Sequence, residues 1–151
     1  MKIGVYDIIN DPLPMLHEIK TINVAKTNFN SDNKIVNVLN KELMMDKMDS
    51  EYVYALALSF DLTPRGIILV GIGNNQKHLE NIRGLGIGLL LTGAEQFMVF
   101  HNHPGGNKNI SKSDKILSKK YHELGDTIGI DFIRHIMITK NYFDICEEEW
   151  L

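Results

Sequence analysis

Residues 97–114 read FMVFHNHPGGNKNISKSD, and this stretch decides how the rest of the chain is interpreted. The apolar run at its start is typical of a short buried strand that leads into His101. In an extended backbone alternate side chains point the same way, so His101 and His103 share one face of the strand end. Pro104 favours an extended conformation for His103, and the glycines that follow turn the chain. The stretch therefore predicts a buried strand that ends in a pair of imidazoles.

The same stretch carries the donor atoms of a metal site. A helix is expected to open at Ser111, and the loop before it is short enough to return the carboxylate of Asp114 to the two imidazoles. Two ring nitrogens and one carboxylate oxygen leave the fourth position of a tetrahedral zinc ion open for water. This ligand set is typical of a catalytic zinc site rather than a structural one.

Each part of this pattern also has a simpler structural interpretation. Two histidines separated by one residue can both lie on the surface, and Asn102 and the glycines can be turn residues. Ser111 and Asp114 fit the Ser-x-x-acid pattern that caps a helix, which needs no metal. The metal interpretation is favoured because all of these residue types occur together within residues 101–114.

Composition is that of an ordinary globular protein. The 151 residues are enough for one domain with a real core, and 44% of them are apolar and 23% charged. The apolar runs are far too short to cross a bilayer, and the first residues lack the apolar core of a signal peptide. We therefore expect a single soluble domain in the cytoplasm.

The lone cysteine and the lysines add two further expectations. Cys146 cannot form an internal disulfide, and the acidic residues 147–149 disfavour its thiolate, so it is a poor nucleophile. Five lysines cluster around the predicted metal-site helix: Lys108, Lys112, Lys115, Lys119 and Lys120. Because the net charge is −3, we favour a solvated helix face here; a patch in which Lys108, Lys112 and Lys115 contact nucleic acid is the alternative.

Hydrophobic periodicity divides the chain into strands and helices. Strands are predicted at residues 3–9, 16–25, 52–60, 66–71, 97–100, 132–139 and 142–146, and helices at 32–47, 77–91 and 111–124. A turn at 63–66 joins two of the strands into a hairpin. The second helix contains glycines at positions 84, 86 and 88, which we expect to permit close packing on a sheet.

Residues 101–106 and 111–114 resemble the His-X-His-Pro-X-Gly and Ser-X-X-Asp motif of the JAB/MPN+ (JAMM) metalloproteases, and the opening HNHP is most similar to the RadC-like branch. The resemblance covers roughly residues 31–145. It implies an α/β (α+β) fold of the JAB/MPN, cytidine-deaminase-like architecture, in which helices flank a single mixed sheet. Residues 1–30 are then an N-terminal strand and loop extension, and residues 31–151 form the domain.

The resemblance also implies a role for each site residue. One zinc ion is held by His101, His103 and Asp114, and Ser111 donates a hydrogen bond to the oxyanion that forms during attack. The family's catalytic base is a glutamate at the start of the first long strand, and Glu51 stands there. Without the family match, Glu51 reads as a boundary residue exposed to water.

Two positions depart from the family pattern. Gly105 replaces the serine that is usual in RadC-like sequences, at a position that metal binding does not need. Arg134 precedes His135 where the family generally has aspartate, so we expect a different contact there. Asn102 is expected to point away from the metal and to serve structure. We interpret the remaining histidines as structural or surface residues, with the last of them nearest the core: His17, His78, His122 and His135.

Two functions follow from the resemblance. The first is zinc-dependent hydrolysis of a peptide or isopeptide bond in a protein or peptide substrate, with a ubiquitin-like tail as one candidate. The second is a RadC-like module, associated with DNA repair or acting as a scaffold, that binds nucleic acid or protein without hydrolysis. The complete set of glutamate, two histidines, serine and aspartate favours the enzyme, because a scaffold has no need of all five.

Overall fold

The computed structural model describes residues 1–73 and 81–148. In these ranges the strands are β1 (Lys2–Asn10), β2 (Pro14–Asn23), β3 (Glu51–Leu58), β4 (Pro64–Gly73), β5 (Gln96–Asn102), β6 (Asp131–Thr139) and β7 (Tyr142–Ile145). The helices are α1 (Asp32–Leu43), α2 (Ile82–Leu91) and α3 (Lys112–Ile128), with a short 3₁₀ turn at Lys26–Phe29. Three positions named in the sequence analysis lie outside the described residues: Lys77, where the second helix was predicted to start, His78 and Glu149.

The strands of the described chain form one mixed sheet in the order β2-β1-β4-β3-β5-β6-β7. β1 runs parallel to β4 and β5 runs parallel to β6, whereas the other neighbours are antiparallel. This confirms the α+β class and the single mixed sheet expected from the sequence. β1 pairs with β4 through Val5 and Ile67, so the strands formed by residues 1–30 belong to the same sheet.

Both faces of the sheet are covered by apolar side chains. The face beneath α1 buries a core that includes Ile3, Val5, Ile35, Leu39 and Phe100. The face beneath α2 and α3 buries a second core that includes Val53, Ala55, Leu85, Leu89 and Tyr121. Each large side chain in these cores contributes about 1.5–3 kcal/mol relative to an exposed one. The fold therefore has helices on both sides of the sheet.

Helix α1 ends earlier than the periodicity predicts. Met44 adopts a left-handed conformation with φ of 55°, and its N–H donates to the carbonyl of Asn40 at 3.1 Å. Met45 is buried beyond this point, so the apolar spacing continues although the helix does not. The predicted end near residue 47 is therefore wrong.

The connection between β3 and β4 also differs from the prediction. It spans Ser59 to Thr63, and Ser59 N donates to the carbonyl of Thr63 at 2.9 Å. The Asp61 carboxylate accepts from Thr63 N at 3.1 Å, a side-chain bond that stabilises the turn. Pro64, predicted inside the turn, pairs with Leu58 and begins β4.

Helix α3 runs past Gly125, where its end was predicted. It ends instead at Gly129, which has φ of 72° and donates to the carbonyl of Gly125. A Cβ on Gly125 would lie 2.4 Å from the backbone oxygen of Ile130, so this glycine permits a close backbone approach inside the helix. The predicted end near Gly125 is therefore wrong, because this glycine serves close packing and does not terminate the helix.

The glycines of α2 have different neighbours. A Cβ on Gly88 would lie 2.9 Å from Ile68 in β4, so here the expected close packing on the sheet is present. A Cβ on Gly86 would face the side chain of Leu124 in α3 at 3.3 Å.

In the described ranges no helix combines the length and the apolar character needed to span a membrane.

These contacts predict a difference between two glycine substitutions. Gly125→Ala forces a methyl group against backbone atoms and should lower the free energy of unfolding by about 1–3 kcal/mol. Gly86→Ala meets only a flexible leucine side chain and gains helix propensity of about 1 kcal/mol, so its stability should stay close to that of the unchanged protein. Urea unfolding of both variants measures the difference, and equal stabilities would contradict the packing argument.

Candidate metal centre

The pairing of β3 with β5 places the two histidines and Glu51 on one face of the sheet. Val53 lies opposite His101 in this antiparallel pair, and directly opposed residues share a face. Val53 packs in the core beneath α2 and α3, so His101 points toward these helices. Extending the register by two residues puts Glu51 opposite His103 on that same face.

Helix α3 brings the carboxylate to the histidines. Ser111 caps the helix: its Oγ accepts from Asp114 N at 3.1 Å, and its own N–H donates to Asp114 Oδ2 at 2.9 Å. Asp114 Oδ1 lies 3.4 Å from His101 Nε2, and Asp114 Oδ2 lies 3.3 Å from His103 Nε2. The helix cap and the metal ligand are thus not alternatives, because the capping bonds orient the carboxylate toward the imidazoles.

The distances between the donor atoms suit a tetrahedral metal ion. His101 Nε2 and His103 Nε2 are 3.0 Å apart, close to their distances from the carboxylate oxygens. Atoms that bind one zinc ion tetrahedrally at 2.0–2.1 Å lie about 3.3 Å from one another. His103 Nδ1 is 3.0 Å from the carbonyl of Asn107, which can only accept, so the neutral ring presents a bare Nε2. Lone pairs therefore converge on one point, as a bound cation requires.

The charges in the pocket favour a cation at that point. Burial opposes ionisation of Asp114, but when the rings of His101 and His103 are protonated their hydrogen bonds and charge outweigh burial and hold the pKa of Asp114 well below the usual range. Burial likewise lowers the pKa of His103, but its bonds to Asp114 and Asn107 raise the pKa above the ordinary value, and the charge of Glu51 adds to this. Both shifts mark a site that stabilises positive charge.

Glu51 and Ser111 flank the ligand group. A carboxylate oxygen of Glu51 and the ligand atoms of His101, His103 and Asp114 all lie within 4.8 Å of one another. Glu51 is half-buried, whereas Ser111 is exposed at the helix start. The Ser111 oxygen accepts from the helix backbone, which leaves its hydroxyl proton to be donated elsewhere. The structure thus brings together four of the five residues that the resemblance singles out, and Ser111 adjoins them through its bonds with Asp114.

Asn102 has the structural role expected for it. Its Oδ1 accepts from Tyr52 N at 2.6 Å, and its Nδ2 donates to the carbonyl of Ser50 at 3.0 Å. These bonds join the end of β5 to the start of β3 and fix the position of Glu51.

His135 contacts the site in a way that sequence analysis missed. It is 1% exposed, which confirms its expected place near the core, and its Nε2 lies 2.7 Å from His101 Nδ1. Ser118 Oγ lies 2.7 Å from His135 Nδ1. Burial, and then the neighbouring charge of His101, lower the pKa of His135 well below its ordinary value, so its ring is neutral. Helical spacing offered a signal, since Ser118 follows Asp114 by one turn and shares its face.

Cys146 lies near this pair but does not form a second metal site with it. Its thiol and the rings of His101 and His135 come within 4.8 Å of one another. However, the 2.7 Å between the ring nitrogens is a hydrogen-bond distance. Burial, more than the neighbouring acids, raises the pKa of the Cys146 thiol and keeps it protonated. The expectation of a poor nucleophile holds, with burial as the main cause.

Lysines of the predicted cluster and Arg134 contact side chains outside the ligand group. Lys108 Nζ lies 5.0 Å from the ring centroid of Tyr142, and Lys119 pairs with Glu123 at 3.7 Å. Lys112 is exposed and Lys115 half-buried, and nucleic-acid contact by Lys108, Lys112 and Lys115 stays a prediction. The different contact expected at Arg134 is an ion pair with Asp32 of α1 at 2.6 Å.

Comparison with known proteins agrees with this architecture. The family model described as "RadC-like JAB domain" matches residues 29–150. A UPF0758 protein of Lactococcus lactis is 42% identical over 69 residues, covering 45% of this chain and 27% of the relative. A UPF0758 protein of Desulforamulus reducens is 31% identical over 96 residues, covering 64% of this chain and 42% of the relative. A UPF0758 protein of Thermotoga maritima is 24% identical over 102 residues, covering 67% of this chain and 46% of the relative.

The mixed sheet and the cluster of histidines and carboxylates are those of a JAB/MPN-type domain. Within that class, the chain belongs to the RadC-like JAB domain family. It spans about a quarter to a half of the length of these curated relatives.

The ligand geometry predicts which histidine substitution releases metal. After loading with zinc and gel filtration, His103→Ala should lose most of its bound zinc, because one of three protein ligands is gone. His17→Ala is the matched control, since His17 pairs with Asp7 on a different part of the sheet and should keep its zinc. Elemental analysis gives the stoichiometry, and full occupancy in His103→Ala would refute the ligand set.

Proposed function

We propose that this domain is a zinc-dependent hydrolase that cleaves a peptide or isopeptide bond. The observation that supports it is the convergence of three acceptor groups, from His101, His103 and Asp114, beside the carboxylate of Glu51. Three ligands leave a coordination position for water, and a nearby carboxylate is the group that amide hydrolysis requires as a base.

A zinc ion held here would lower the pKa of its water and polarise the substrate carbonyl. Glu51 takes the proton from the attacking water and passes it to the leaving amine, for which its position opposite His103 is suitable. Ser111 donates its hydroxyl proton to the oxyanion that forms on the substrate. Asp114 would stay ionised throughout, because the N–H of Ser111 donates to its carboxylate and the ion that it helps to hold is positively charged.

The substrate we propose is a protein or peptide segment. The ligands are graded in exposure: the side chains of His101 and Asp114 are each 2% exposed, that of His103 is 14% exposed, and Ser111 lies at the surface. A cavity of about 130 Å³ adjoins His103, lined by residues 45–49, Pro104, Gly105 and Lys140. Because His103 and Ser111 are the more exposed of these residues, we expect a chain at the surface to reach the centre from their side.

Replacement of the base separates catalysis from metal binding. Zinc-loaded protein is incubated with a cell extract, and new peptide termini that depend on it are quantified by mass spectrometry. Glu51→Gln should slow cleavage at these sites by about 10²–10⁴-fold while zinc stays bound, because the amide cannot accept the proton. Cleavage at a comparable rate would show that Glu51 is not the base. DNA binding that weakens as the salt concentration rises, but stays the same after the metal is removed, would instead favour the non-hydrolytic module.

Ser111 caps helix α3 and is also proposed to stabilise the oxyanion, so its replacement needs a control that separates the two roles. Ser111→Ala should reduce the rate at those sites by about 10²–10³-fold, as loss of one oxyanion donor does. It should also lower the free energy of unfolding by about 1 kcal/mol through loss of the cap. Ser111→Thr keeps both the hydroxyl donor and the cap, so it should retain most of the rate. An alanine variant that is destabilised but fully active would limit Ser111 to capping.

A further inference from the structure

A chain of hydrogen bonds runs from the backbone to the rear nitrogen of His101. It starts at the carbonyl oxygens of Asp114 and Cys146, which each lie 3.1 Å from Ser118 Oγ. A carbonyl can only accept, so the Ser118 hydroxyl proton points toward these two oxygens. The lone pairs of Ser118 are then left to face His135 Nδ1, which is 2.7 Å away.

The direction of the first bond fixes the directions of all the others. His135 Nδ1 has to carry the proton that it donates to Ser118, so in the neutral ring Nε2 is bare. His135 Nε2 therefore accepts from His101 Nδ1 across 2.7 Å. With its proton on Nδ1, His101 presents a bare Nε2 to the point where the lone pairs of His103 and Asp114 converge. The backbone thus selects the ring tautomer that can bind a metal.

Because these side chains are buried, water cannot compete for their polar atoms and reverse the directions of the hydrogen bonds. Ser118 is 0% exposed, His135 1% and His101 2%. The ring of Tyr121 packs edge-on against His135 with centroids 5.2 Å apart. His101 and His135 lie on the neighbouring strands β5 and β6, which pair in a fixed register, whereas Asp114 and Ser118 lie on α3 and Cys146 follows β7.

We propose that His135 is a positioning residue that holds His101 in its metal-binding tautomer, and that Ser118 sets the orientation of His135. The inference rests on the metal site of the proposed function but not on hydrolysis. Partners behind a metal-ligating histidine typically change metal affinity by about 10–100-fold when they are removed. His135 touches neither metal nor substrate, so its effect passes entirely through His101.

The tautomer is measured first, without any metal. Two-bond proton–nitrogen NMR spectra of the imidazoles in the metal-free protein should show His101 protonated at Nδ1 and bare at Nε2. Ser118→Ala removes the acceptor for His135 Nδ1–H, so both rings should become mixtures of tautomers. Ser59→Ala is the matched control: this buried serine lies beyond the far end of β3, and His101 should remain unchanged. An unaltered His101 in Ser118→Ala would overturn the proposal.

Zinc affinity is measured second, by competition with a chromophoric chelator. His135→Leu should weaken zinc binding by about 10–100-fold. His135→Gln keeps an acceptor for His101 Nδ1–H and should restore most of the affinity, which a purely space-filling role would not allow. Zinc affinity in His135→Leu within twofold of the unchanged protein would refute the proposal; if that variant does not fold, the glutamine and Ser118→Ala variants decide in the same way.

The two measurements separate this inference from the proposed function. Tight zinc binding and the expected tautomers without any peptide cleavage would disprove hydrolysis and support the positioning role. Peptide cleavage by the unchanged protein, together with a zinc affinity that stays the same when His135 is replaced, would support hydrolysis and disprove the positioning role.

Discussion

The register between β3 and β5 is the constraint on which the site depends. Because Val53 opposes His101, the two ligating histidines and Glu51 face the helices α2 and α3 together. A slip of one residue would turn each of these side chains to the opposite face. Asn102 helps to prevent such a slip, since its amide bonds to Tyr52 N and the carbonyl of Ser50 where the ladder ends. The buried core thus determines both the fold and the position of the groups proposed to bind metal and to catalyse hydrolysis.

The local part of the site was predictable from the sequence. Alternation along an extended backbone places His101 and His103 together, and the capping pattern at Ser111 fixes where Asp114 lies on its helix. Both signals act over a few residues, so they hold regardless of the rest of the fold. Glu51 is different, because only the resemblance to a family pointed to it, and its position depends on strand pairing that no local pattern determines.

The contacts behind His101 were beyond sequence reasoning for the same reason. His135 is 34 residues from His101, and Ser118 is 17 residues from His135. Periodicity assigns each to a buried face but not to a neighbour, because the choice of neighbour depends on strand order. The glycines show the same limit: Gly125 was predicted to end its helix, but the helix continues to Ile128, and the close approach of Gly125 to Ile130 appears only in the packed structure.

The site holds a buried carboxylate beside two imidazoles. Asp114 is 1% exposed, and burial of its charge carries a cost that its interactions with His101, His103 and Ser111 outweigh. Protonation of His103 offsets part of this cost, which is why its pKa lies above the ordinary value. A metal ion in place of this proton would bind the folded state and not the unfolded chain, and would therefore stabilise the fold. The same buried negative charge that favours a proton on His103 would thus also favour a cation at this centre.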